Sequence, residues 1–499
     1  MSREHYNTWA RVRAVLGSPS LYEIARDIDW TPPVGRRRAN PTYVTLAYGV
    51  LARIARSGIR VELDLAEPHT WAAARRLMSE AIDRHGLELP PPGGHPPTWD
   101  HWRWMRNHWL TTDDGLARLG RVFPPIAAAA ANRIGLLLPQ GPGSFTHPDR
   151  TRAAYGDGTL VRPLYRPPET VLLHNDDGTT TVAYPDPRTG QLLARPPGRF
   201  DPDLELHHGR GGPVLTHGYV CWHTRGPKPY QRVDLAAAHI PAPGVEAATA
   251  VSLLRDVHRA AGAGIQVVVY DGALRGVHIE EIMSQYGYVV LAKQHTDATL
   301  EDPTASPRLV KTPGGRRARS YPLGIVTHQL PTGGPCPHQI AAAGGQVVEI
   351  DLDEQGDPVV VGTLTRKAVK RSRRADGRFH FNVGYELDCP GEAFTVWLSP
   401  HPGKDGDTAR PEQLRILPSG DSDAQRLAGI RSDAESFHSN YKRSLIVDRA
   451  MSLGWRRGLV DLYCFALLNN ALTEQRAAET ELARETRHLA GRRLSAVGR

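Results

Sequence analysis

Residues 245–292 read VEAATAVSLLRDVHRAAGAGIQVVVYDGALRGVHIEEIMSQYGYVVLA. Apolar positions recur at three and four over 245–261, which predicts an amphipathic helix, and again over 277–286. Between and after these helices stand two short apolar runs, 265–270 and 288–292, with the texture of strands buried on both faces. Helix, strand, helix, strand in this order is α/β architecture. Upstream, strand-like runs at 158–165, 170–173, 179–184, 218–223 and 231–240 are divided by Gly, Pro and Asp turns, which extends the sheet toward the N-terminus.

The flanks differ in texture. Residues 1–150 read as a helical N-terminal domain, with helical spacing over 42–57, 71–84 and 99–109 and Pro-rich breaks between; one break carries the basic run Arg36-Arg37-Arg38. Residues 296–420 turn polar and β-like and form a β-rich insertion. Helical periodicity returns at 421–480, and 481–499 is a charged tail. The α/β part is therefore expected from 151–295 joined to 421–480.

Composition narrows the function classes. The chain has 499 residues, enough for two to four folded units, and carries net charge +8, which suits an anionic partner such as nucleic acid. Lysine supplies only 7 of the 61 basic side chains, a skew that coding bias can produce without any selection for phosphate-binding forks. The longest apolar run, 126–138, is broken by Asn132 and Arg133 and falls short of the ~18–20 residues of a membrane span. No membrane partner is expected, and the polar opening MSREHYNTWARVR, without an apolar signal core, points to the cytoplasm. The four cysteines, at 221, 336, 389 and 464, form no Cys-x-x-Cys pair. Cys221 with His223, and Cys336 with His338, lack the tight four-ligand spacing of structural zinc sites, so zinc is not expected. A phosphate-binding Gly-Lys loop, a Gly-x-Ser-x-Gly elbow and a His-Glu-x-x-His motif are all missing from the sequence. Gly262-Ala-Gly264 precedes its strand, so it cannot seat a dinucleotide at a helix N-terminus.

Acidic residues stand in more telling places. Asp157 lies in Tyr155-Gly-Asp-Gly-Thr, beside a predicted strand, and Asp271 ends the apolar run 265–270. A carboxylate at a strand end sits where open α/β sheets build their sites, although either Asp alone reads equally as an Asp-Gly turn. On the helix RSDAESFHSNYK, 431–442, Arg431, Glu435 and Lys442 share one face at 3.6 residues per turn. That stripe reads either as a surface charge ladder or as a carboxylate flanked by phosphate-binding cations. The densest basic run, Lys367, Lys370, Arg371, Arg373 and Arg374, reads as a grip on DNA phosphates or a solvated hairpin.

Together these sites resemble the DDE transposases of bacterial insertion sequences, in the group marked by a Tyr-Arg-Glu-Lys signature. The three-residue gap from Arg431 to Glu435 and the six-residue gap from Glu435 to Lys442 match that signature, while its Tyr would fall at Ala428. The resemblance implies an RNase H-like catalytic domain, interrupted by the insertion 296–420, with Asp157, Asp271 and Glu435 as catalytic metal ligands. It implies two Mg²⁺ or Mn²⁺ ions, for which hard oxygen ligands are suited. Arg431 and Lys442 would hold phosphates of double-stranded DNA, the transposon ends and target. A nucleoid-associated homodimer acting in DNA recombination is the implied assembly. Two alternatives stay open, a metal-dependent nuclease on the same fold and an inactive DNA-binding relic of such an enzyme.

Overall fold

The structure is a computed structural model that describes residues 7–29, 38–165, 169–196, 199–209, 212–228, 230–292, 308–312, 317–330, 333–389, 392–403, 406–407, 409–445 and 448–497. Arg36, Arg37 and the expected 295/296 boundary lie outside them. The chain is mixed α/β with several sheets.

The central sheet contains β1 (Ala153–Val161), β2 (Glu205–Gly209), β3 (Gly212–Arg225), β4 (Arg232–Ile240), β5 (Val267–Val269) and β6 (Val289–Leu291). Its order is β4-β3-β1-β5-β6, with β2 paired to the first part of β3. The β4-β3-β1 side is antiparallel and the β1-β5-β6 side is parallel. β5 and β6 are valine-rich and fully buried, as strands covered on both faces must be. β1 begins five residues before the run predicted at 158–165. The reason is that Ala153, Ala154 and Tyr155 are buried between two partner strands, a placement that single-sequence periodicity does not reveal.

Helix α1 (Glu246–Ala261) covers one face, where the Trp222 indole N–H donates to the Ala250 carbonyl at 2.9 Å. Successive strand residues face opposite sides, so Tyr155 and His223 project the other way, toward α2 (Ser432–Ser444). The long helix α3 (Trp455–Val497) lies along β4, with the Tyr463 hydroxyl donating to the Ala237 carbonyl at 2.6 Å.

Helices recur through the described part of residues 8–133, including Thr42–Ala55, Pro68–Arg84 and Asp113–Arg133. They do not have a core of their own: their buried side chains are continuous with those of the central sheet and α3. Gly49 lets the indole of Trp102 lie directly on its helix, since a Cβ there would come within 2.5 Å of the ring. Asp461, 2% exposed on α3, ties this packing together. It lies 3.5 Å from the Arg53 guanidinium and 3.7 Å from that of Arg106, both also buried. Arg106 in addition donates to Ser452 Oγ at 2.7 Å.

In the expected insertion, Arg308–Lys311, Arg317–Gln329, Pro335–Ala343, Gln346–Leu352 and Pro358–Thr363 close into a barrel. Thr365–Arg373, Phe379–Cys389 and Glu392–Leu398 make a separate three-stranded sheet. Among the described residues, these strands pair only with one another. A smaller sheet, Val171–His174 with Thr180–Pro185 and Leu192–Leu193, falls between β1 and β2. No helix of the described residues is long and apolar enough to cross a membrane.

Asp461→Ala would leave two arginines buried without a counter-charge, which typically costs about 3–5 kcal/mol. Urea unfolding of the variant should show a loss of that order. An unchanged midpoint would mean that the trio does not hold the helical layer to α3.

Candidate active site

The parallel pairing of β1 with β5 sets Tyr155 opposite Val269. Continued two residues on each strand, the same register brings Asp157 and Asp271 to the same level, past the last paired residues. Asp157 is nearly buried and pairs across to Cys221 of β3. Asp271 caps its own turn, accepting from the Ala273 N–H at 2.8 Å.

Asp157 feels the charge of Asp271. Burial pushes the Asp157 carboxyl up to about 7, the nearby charges of Asp271 and Glu246 add to the rise, and Arg431 opposes it. Glu246, in the first turn of α1, is raised by burial and by Asp271, while a 3.1 Å hydrogen bond from the Tyr270 hydroxyl pulls the other way. Gly158 makes this approach possible, because a Cβ there would stand 2.5 Å from the Glu246 carboxyl carbon. Glu246 was not among the residues singled out from sequence; its position in the first turn after β4 was the available signal.

Helix α2 brings the basic stripe to the same place. Arg431, at its N-terminus, has a buried Nε with no hydrogen-bond partner among the described residues. Burial lowers the Lys442 ammonium, and Asp448 and Asp157 favour its charge. Between them, His438 Nε2 lies 3.7 Å from Asp157 Oδ2. Burial and the neighbouring cations hold the His438 imidazole well below its ordinary range, so it is neutral at pH 7. Glu435 stands on the same stripe, one turn after Arg431, and is exposed. The stripe therefore spans four residues, of which Arg431, His438 and Lys442 act on Asp157.

Asp433 holds α2 in this orientation. Its carboxylate accepts from the Tyr155 hydroxyl of β1 and from Arg225 at the end of β3, and Arg232 of β4 lies 3.3 Å from it. Beneath, Asp234 is bonded to His223 at 2.7 Å and accepts from Asn469 Nδ2 at 2.9 Å, while its backbone N–H donates to Asn470 at 2.8 Å. Three strands, α2 and α3 thus meet in one buried polar network, where every partner is needed because an unpaired charge is costly.

The basic run 367–374 is exposed on the strand Thr365–Arg373 and its end, but much of its charge is engaged. Lys367 pairs with Glu386 at 2.7 Å, and Lys370 sits 4.0 Å over the Trp397 ring. Arg371 donates to the Gly287 carbonyl at 2.8 Å and lies over Phe145 and Phe379, so it joins this sheet to the turn before β6. Arg373 lies over Phe379, and Arg374 is bonded to His380 at 2.7 Å.

No family model matches the chain, and no characterised protein matches it. The chemistry of the site rests on its own geometry.

The raised Asp157 carboxyl makes stability pH-dependent. Folded protein keeps this proton after the unfolded chain has lost it, so stability falls as pH rises from about 4 through about 7 and is lowest above. Asp157→Asn should therefore stabilise the protein at pH 8, by on the order of 1–4 kcal/mol, and little at pH 4. Thermal unfolding at the two pH values without added divalent ions measures this; a pH-independent difference would show that the carboxyl is not strained.

Proposed function

We propose that the protein is a metal-dependent DNA-cutting and DNA-joining enzyme, a DDE transposase, on an RNase H-like fold. The carrying observation is the convergence of Asp157, midway along β1, and Asp271, two residues past the end of β5, just beyond the last paired residues of these adjacent parallel strands, against a helix face bearing Arg431 and Lys442. The strand order β4-β3-β1-β5-β6, with three antiparallel strands followed by two parallel ones, supports the fold assignment. A helix after β4 and another over β1 further support it.

The donor set fits Mg²⁺ or Mn²⁺. Asp157, Asp271 and Glu246 are oxygen donors crowded closely enough that the charge of Asp271 adds to the proton affinity of Asp157 and Glu246, and a divalent cation relieves that repulsion. Asp157 and Asp271 would hold the ions, with Glu435 as the third ligand from α2 and Glu246 beside them. Two such ions, when bound, supply charge stabilisation at the attacking and leaving oxygens of a phosphodiester.

The chain's own residues bind and orient the DNA. Arg431 offers a planar fork for a phosphate at the N-terminal end of α2, and Lys442 offers a point charge about three turns further along. His438, neutral and buried, sets the wall beside Asp157 and adds no charge that would repel a cation. Asp433 fixes the register of this stripe over the acidic group through β1, β3 and β4. The homodimer on paired DNA ends belongs to the same reading.

Nicking and strand-transfer assays on linear DNA, with Mg²⁺ or Mn²⁺, test it. Asp157→Asn, Asp271→Asn and Glu435→Gln should each abolish cleavage while DNA binding persists. Lys442→Ala should weaken binding similarly across sequences, lower the salt slope by about 1 and only reduce cleavage. Loss of cleavage in Glu246→Gln but not in Glu435→Gln would move the third ligand to α1. Cleavage that survives Asp157→Asn would overturn the proposal, and cleavage without joining would reduce it to a nuclease.

A further inference from the structure

Far along the chain from the acidic group, four potential metal ligands meet in the β-rich segment. His328 is the penultimate residue of the strand Arg317–Gln329, and Cys336 and His338 lie on its partner Pro335–Ala343. The antiparallel register sets His328 directly opposite Cys336, with His338 two residues on and hence on the same face. Cys389 comes from a different sheet, as the last residue of Phe379–Cys389. One ligand atom from each of the four lies within 4.8 Å of all the others.

The details match a metal better than a chance cluster. The sulfurs of Cys336 and Cys389 are 3.8 Å apart and both thiols are free. Zn–S bonds of ~2.3 Å at a tetrahedral angle place two sulfurs at about this separation. His338 is hydrogen-bonded through Nδ1 to Glu349, the carboxylate–imidazole arrangement that leaves Nε2 free to ligate. That Nε2, and the Nε2 of His328, are both buried without a hydrogen-bond partner. Two orphaned buried nitrogens are costly, and one cation between them satisfies both. Phe394 stacks on the His328 ring, with centroids 4.2 Å apart, and shields the cluster.

We propose that His328, Cys336, His338 and Cys389 form a structural zinc site that fastens the barrel hairpin to the three-stranded sheet. Two imidazoles and two thiolates are the donor set that borderline-soft Zn²⁺ takes, and four protein ligands leave no open position for catalysis. The ion is distinct from the oxygen-liganded metals proposed at Asp157 and does not depend on that reading.

Elemental analysis of the full chain, purified under reducing conditions without added metal, should find one zinc per chain. Replacement by Co²⁺ should give the thiolate charge-transfer band and intense visible bands of a tetrahedral site. The double variant Cys336→Ser, Cys389→Ser should lose the zinc. Because that variant could misfold, the native chain is also stripped with a chelator and alkylated with and without added Zn²⁺, then mapped by mass spectrometry. Protection of Cys336 and Cys389 by Zn²⁺ is the expected result. Equal labelling of both with and without Zn²⁺, zinc retained by the double variant, or a Cys336–Cys389 disulfide in the reduced preparation would each overturn the site.

Discussion

The parallel register between β1 and β5 is the constraint on which the candidate site rests. Tyr155 opposite Val269 brings two carboxylates, 114 residues apart in sequence, to one level at the end of the sheet. Two neighbouring acids at this level cannot both be charged at no cost: burial first, and then the charge of Asp271, push the Asp157 carboxyl up. Apolar burial of β5 and β6 on both faces stabilises the sheet in which the two acids are held. Stability of the sheet thus sustains an electrostatic strain at its edge.

A second constraint fixes what faces that strain. Helix α2 is weakly apolar, and its buried side includes Asp433 and His438 as well as Ala434, Phe437 and Tyr441. Packing alone would leave its rotation loosely defined. The bonds of Asp433 to Tyr155 and Arg225, with Arg232 close by, define it, since any other rotation buries an unpaired carboxylate. Arg431, His438 and Lys442 are directed at the acidic group as a consequence, while Glu435 on the same stripe stays exposed.

The β-rich segment follows a different logic. Closing five strands into a barrel removes the exposed edges that would recruit other strands, but its apolar core is small, with Val310, Ala341, Ala343, Val348 and Ile350 at its centre. A cross-link to the neighbouring sheet is therefore worth more here than in the large central core. The His and Cys cluster is placed to make that link, and Arg371 in turn ties the three-stranded sheet to the turn before β6.

Periodicity was enough to read the elements that carry their burial in their own sequence. The helices 246–261 and 432–444, the valine strands and the change of texture beyond residue 295 are all visible as runs of apolar spacing, and so is the shared face of Arg431, Glu435 and Lys442. Asp157 and Asp271 were visible too, as acids beside strands. What the chain alone did not reveal depends on which strands become neighbours. Glu246 reaches the acidic group only because β1 passes beneath the start of α1 with glycine at 158. Asp433 and His438 looked like ordinary helix residues until β1, β3 and β4 gathered around them. The continuity of the N-terminal helices with the main core rests on one buried acid, Asp461, and its two arginines. Cys336 and His338 showed half of a ligand set at alternate strand positions. Hairpin register supplied His328 and a separate sheet supplied Cys389, and contacts across such distances leave no spacing in the sequence to read.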